Sequence, residues 1–189
     1  MRRQVATAVL AVVLVSLVAA CGGKQTDTAH QAAGGSALRV GLVFDIGGRG
    51  DKSFNDAAYA GLERAKTELA VSTSYVEPGE SMDREASLRQ LAKSGDAVVF
   101  GIGFMFTDDI TSIASEFPQQ KFACIDYSIQ PGKALPANLA ALTFKENEGS
   151  SLVGALAALV SKSHPVGFIG GMDSPLIQKF EEGFRAGVR

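Results

Sequence analysis

Tryptophan is absent from the 189 residues, and cysteine and histidine occur only twice each. So few cysteines exclude a disulfide-stapled scaffold. His30 and His164 stand far apart with no neighbours at ligand spacing, which excludes a histidine-based metal site and leaves both as solvated or linker residues. There is no Gly-x-Ser-x-Gly elbow, so the hydrolase triad has no anchor. The 18 Lys and Arg against 20 Asp and Glu give a net charge of −2 without a basic stripe, and nucleic acid is excluded as a partner. Glycines at 47, 48 and 50, at 101 and 103, and at 167, 170 and 171 do not complete a dinucleotide fingerprint, and Asp51 in the first of these loops would repel a phosphate. No motif calls for a cofactor or a metal.

Long hydrophobic runs are also scarce, and the one present lies at the start. Met1-Arg2-Arg3 is followed by an aliphatic stretch from Val5 to Ala20, interrupted only by Thr7 and Ser16. That is the layout of a secretory signal, too short and wrongly flanked for a spanning helix. It ends in Leu17-Val18-Ala19-Ala20-Cys21, which resembles a bacterial lipobox. The expectation is therefore a signal peptide over 1–20, a lipid on Cys21, and anchorage to a bacterial membrane in the cell envelope, facing away from the cytoplasm. Residues 21–36 are small and polar and read as a flexible tether. Cys124, inside Phe122-Ala123-Cys124-Ile125, reads as a small buried core residue.

From residue 37 onward, aliphatic runs alternate with amphipathic segments. Leu38–Asp45, Ser74–Pro78, Ala97–Gly103, Lys121–Asp126 and Leu139–Phe144 read as strands, and 54–69, 83–93, 108–116 and 148–162 as helices between or after them. Ser53 is the expected N-cap of the first helix. This alternation predicts an α/β fold, a doubly wound parallel sheet. After His164-Pro165 the pattern starts again, with an expected strand over 166–171 and a helix over 175–188. The expected domains are an α/β lobe over 37–163 and the start of a second lobe over 164–189, with the remainder of that lobe missing from a C-terminally truncated chain.

Ligands of open α/β sheets collect beyond the carboxyl ends of the strands. That edge carries Asp45 with its glycine-rich loop, Phe54 and Asn55 at the next helix, Phe104 after Gly101-Ile102-Gly103, and Asp126 with Tyr127. Flat aromatic faces with acid and amide side chains suit a neutral polar ring compound. Asp45 could equally cap its loop, and Phe54 could staple its own helix. Asp45 and Asp126 could also form an acid–base couple, though they serve as well as hydrogen-bond acceptors. Arg49-Gly50-Asp51 matches a cell-adhesion tripeptide, a match short enough to arise by chance.

Five ordered strings carry a resemblance to a known family: residues 43–55, Gly101-Ile102-Gly103-Phe104, Ile125-Asp126-Tyr127, residues 144–150, and residues 167–173. Together they resemble the basic membrane protein family of lipoproteins, which includes purine nucleoside receptors feeding ABC importers. The resemblance implies a type I periplasmic-binding-protein fold holding a nucleoside between two lobes, and ABC permease subunits as partners. It implies that Asp45 and Asn55 hydrogen-bond the ligand, that Phe54 stacks on the base, and that Asp126 accepts a hydrogen bond from it, with Phe104 as a neighbour. Members of the family continue for a comparable length and add a second aromatic, an acid and a lysine from the other lobe. A solute-binding protein without covalent chemistry is the leading expectation. A surface lipoprotein that engages a protein partner and an extracellular nucleoside hydrolase are the alternatives.

Overall fold

A computed structural model describes residues 38–78 and 84–189. The expected signal, Cys21 and the tether lie outside the described residues, as does Asp83 at the expected start of the second helix. Five strands, β1 (Arg39–Val43), β2 (Ser72–Val76), β3 (Val98–Ile102), β4 (Lys121–Ile125) and β5 (Leu139–Leu142), form one all-parallel sheet in the order β2-β1-β3-β4-β5. Parallel neighbours need crossovers, and helices supply most of them: α1 (Phe54–Leu69), α2 (Arg84–Lys93) and α3 (Thr107–Glu116), the last preceded by a 3-10 turn over Phe104–Phe106. Two further helices follow the sheet, α4 (Glu146–Val160) and α5 (Pro175–Val188).

Alternation along β1 sorts the core into two layers. Val43 faces α2 and α3, joining Leu88, Leu91, Ile110, Ile113, Phe122 and Cys124. Leu42 and Phe44, pointing the other way, pack with Leu62 of α1 and with Ile102. Burial on both faces explains why these strands read as continuous aliphatic runs. Cys124 is fully buried, as expected.

Residues 166–171 correct one expectation: the structure has no strand there. A strand exists only where a neighbour offers its backbone, and the sheet ends at β5. Ile169 is 98% exposed, and the segment serves as the connection between α4 and α5. Those two helices pack on each other instead. Small residues let them approach: a Cβ at Gly183 would lie 2.7 Å from Asn147 Cα, and Gly154 and Gly187 press just as closely on the backbones of Phe184 and Ser151. Ser150 Oγ donates to the Phe180 carbonyl at 2.6 Å, and the Phe168 and Phe184 rings meet at 5.8 Å. The opposite side of α4 keeps Leu152, Leu156, Leu159 and Val160 exposed. No described helix is long and apolar enough to cross a membrane.

The close approach makes a contrast between two helical glycines. Gly183→Val must push α5 off α4, and its denaturation midpoint is expected to fall by the equivalent of about 2 kcal/mol or more. Gly61 of α1 has nothing within 4 Å of its Cβ position, so Gly61→Ala should stabilise by roughly 0.5 to 1 kcal/mol. Urea titrations of the two variants check both signs.

Candidate functional site

The sheet order reverses direction between β1 and β3, and there the carboxyl ends open a crevice. Registration of Val43 against Gly101, and of Ile102 against Ile125, brings Asp45, Gly103 and Asp126 to this one edge. Gly103 adopts φ 108°, and a Cβ there would run into the Asp45 carboxylate. Only glycine fits under that carboxylate.

Acidic and amide side chains build the loop from Asp45 to Ser53. Asn55, 3% exposed, accepts from the Asp45 backbone N–H at 3.0 Å, and the Ile46 N–H donates to Asp45 Oδ1 at 2.8 Å. Ser53 makes no side-chain cap, contrary to expectation. Asp51 takes that role, accepting from the N–H groups of Ser53 (2.9 Å), Asn55 (2.8 Å) and Asp56 (3.1 Å), and these bonds hold its carboxyl below the usual range. Asp56 accepts in return from the N–H groups of Gly50 (2.8 Å) and Lys52 (2.9 Å). Arg49 is fastened as well. Its Nε donates to Glu77 Oε1 at 2.7 Å, and its guanidinium carbon sits 4.6 Å and 4.9 Å from the ring centres of Tyr59 and Tyr75. With Arg49 held against two rings and Asp51 capping α1, both charged side chains of the exposed Arg-Gly-Asp tripeptide are engaged within the loop.

Asp126 sits just past β4 with a left-handed φ of 57°. Two hydroxyls on α3 brace the residues after it: the Ser128 N–H donates to Thr107 Oγ1 at 3.0 Å, and the Tyr127 hydroxyl pairs with Thr111 Oγ1 at 2.9 Å. Burial raises the pKa of Asp126, the neighbouring Glu146 raises it further, and Lys179 opposes them. Asp45 is raised by burial, against the Ile46 hydrogen bond and the charge of Arg84. Cys124 lies beneath both carboxylates, and burial foremost, then their charge, pushes its thiol up to about 12. It is therefore an inert core thiol.

Phe54 and Asp126 share the wall of a cleft of about 750 Å³, which Phe144, Glu146, Val153 and Phe180 close from the side of α4 and α5. Asp45, Asn55 and Phe104 do not line this cleft; the Asp45 N–H is bonded to Asn55 Oδ1 at the same edge of the sheet, and Phe104 is half-buried in the 3-10 turn. Sequence reasoning missed Phe144 and Glu146, which follow the carboxyl end of β5, and Lys179 and Phe180, which reach the edge only through the packing of α5 on α4. Glu146, at the first position of an apolar helix, carried the signature of a dipole-matching acid and nothing more. Among the described residues no group of three or more His, Cys, Asp or Glu side chains gathers as a metal site.

A doubly wound parallel sheet in this order is the fold of solved ABC-transporter solute-binding proteins of the periplasmic-binding type. A solute-binding protein of an ABC transporter system from Aeropyrum pernix has this fold, with a TM-score of 0.69 and 34% identity over 80% of this chain and 42% of its own. Residues 38–189 match the family of PnrA-like ABC transporter substrate-binding proteins, Bmp, and the chain belongs to that family. A lipoprotein of Pyrococcus horikoshii is 40% identical over 100% of this chain and 47% of its own length. The ABC transporter nucleoside-binding protein BmpA of Lactococcus lactis is 31% identical over 100% of this chain and 53% of its own. The chain thus spans about half the length of the curated relatives it matches.

The raised carboxyls make a prediction about pH. Between the ordinary aspartate range and its raised folded value, Asp126 keeps a proton in the folded protein that the unfolded chain has released. Stability therefore falls as pH rises through that window and stays lower above it. Asp126→Asn should remove this loss, since asparagine tolerates the left-handed backbone equally well. Its melting temperature should exceed the wild-type value at pH 7, and the gap should shrink below the ordinary carboxylate range.

Proposed function

We propose that this chain is a lipid-anchored receptor subunit of an ABC importer that binds a purine nucleoside or a similar neutral ring compound. The observation that carries the reading is the pairing of Phe54, an aromatic face, with Asp126, a partly buried carboxylate, on one cleft beyond the carboxyl edge. Stacking fixes the plane of a base, and the carboxylate takes a ring or amino N–H. Asp45 and Asn55 would hydrogen-bond the ligand beside them, with Phe104 as a neighbour, on a loop already immobilised by Asp51 and Asp56. The name of the Lactococcus lactis relative, a nucleoside-binding protein, supports the same ligand class.

On this reading Cys21 carries the lipid, residues 21–36 tether the protein in the cell envelope, 37–163 form the first lobe and 164–189 begin the second. Lobe closure on the ligand would present the complex to the permease. The protein would do no covalent chemistry on what it carries.

Titration calorimetry with inosine, guanosine and adenosine tests this reading, and the recovered nucleoside should be chemically unchanged. Asp126→Ala and Asp45→Ala should each weaken binding about 10- to 100-fold, the worth of a hydrogen bond to a charged acceptor. Phe54→Ala should cost about 5- to 100-fold through lost stacking. Inosine 5′-monophosphate should bind far more weakly than inosine, because Asp45, Asp126 and Glu146 concentrate negative charge at this edge. Release of free base would identify an enzyme and overturn the reading.

A further inference from the structure

Glu146 presents the one oddity of the cleft. Its side chain is only 6% exposed, Oε1 accepts from the Phe144 N–H at 3.3 Å, and Oε2 is buried with no hydrogen-bond partner among the described residues. Native proteins rarely leave a buried carboxylate oxygen in that state, because the missing bond costs the full desolvation of the group. The nearest cation, Lys179 Nζ, stands at 3.7 Å, beyond hydrogen-bond reach, on a side chain that is 53% exposed. Glu146 walls the large cleft together with Phe54 and Asp126, and with Asp126 and Lys179 it also walls an adjoining recess of about 150 Å³.

A carboxylate oxygen that lacks a donor, beside a cleft and under a loosely held lysine, is an acceptor kept for something that arrives. We propose that Glu146 is a ligand-contacting residue: its Oε2 accepts an N–H or O–H of the bound compound from the α4 side while Asp126 accepts from the β4 side, and Lys179 swings aside to admit it. The inference rests on the nucleoside reading above. It adds specificity, since two carboxylates flanking one ligand select for compounds with two donor groups and against anions. Lys179 then acts as a displaceable counter-ion that occupies the same oxygen in competition with the ligand.

The experiment compares wild type, Glu146→Gln, Lys179→Met and Asp45→Ala by calorimetry with inosine and guanosine at pH 8, with circular dichroism to confirm that each is folded. Glu146→Gln should raise Kd about tenfold or more, whereas Lys179→Met should lower it severalfold by removing the competitor. A purely structural ion pair would instead lower the melting temperature in both variants and leave Kd unchanged. Unaltered affinity in Glu146→Gln, or equal weakening in both variants, overturns the inference while leaving the nucleoside reading intact if Asp45→Ala still loses binding. Failure of the wild type to bind either nucleoside overturns the reading and this inference together.

Discussion

Parallel pairing forces β1, β3 and β4 to end at one edge, because strands running side by side in the same direction can reverse only through a crossover that starts there. At that edge each chain leaves the sheet with unpaired backbone groups and must satisfy them locally. The residues that follow these strand ends, Asp45, Gly103 and Asp126, are therefore placed by the register of the sheet. Asp45 occupies the space that a side chain at Gly103 would need, so the end of β3 is shaped by the end of β1.

The polar groups at this edge divide into two kinds. Asn55, Asp51, Asp56 and Glu77 spend their oxygens on backbone N–H groups of the first loop, which makes that loop rigid without a hydrophobic core of its own. Asp126 and Glu146 keep acceptor capacity on the cleft wall, and Lys179 opposes the repulsion that Glu146 exerts on Asp126. Satisfied groups hold the geometry, and unsatisfied groups are free to act. A binding surface needs both, since an acceptor that moves gains little selectivity.

Most of this architecture could be read from residue order. The short aliphatic run of β1 and the three-to-four spacing in α1 are local signals, and both elements lie where those signals put them. The carboxyl-edge rule likewise puts Asp45 and Asp126 at one edge, where the register of the sheet has them. What could not be read depends on contacts distant in sequence. Val166 to Gly171 has the composition of a buried strand, yet pairing is a property of the neighbour, and among the described residues the sheet ends at β5. Ser53 has the chemistry of a cap, but Asp51 reaches the same N–H groups with a full charge and wins. Glu146 showed only the acid of a helix start inside one of the family strings, because the Lys179 beside it lies on a helix some thirty residues later.

That last case shows how packing without chemistry can create a site. Glycine at 154, 183 and 187 has no reactive group, but it brings the backbones of α4 and α5 together and fixes the height of one helix against the other. This height sets Lys179 beside Glu146 and carries Phe180 to the cleft wall. Were the helices separated by ordinary side chains, at the 8 to 10 Å typical of such pairs, the lysine would move away from the carboxylate and Asp126 would face Glu146 without a counter-charge. Repulsion between the two acids would then favour protonation of one of them, and a protonated acid donates where the cleft requires an acceptor. The electrostatic character of the cleft thus depends on residues whose only contribution is to be small.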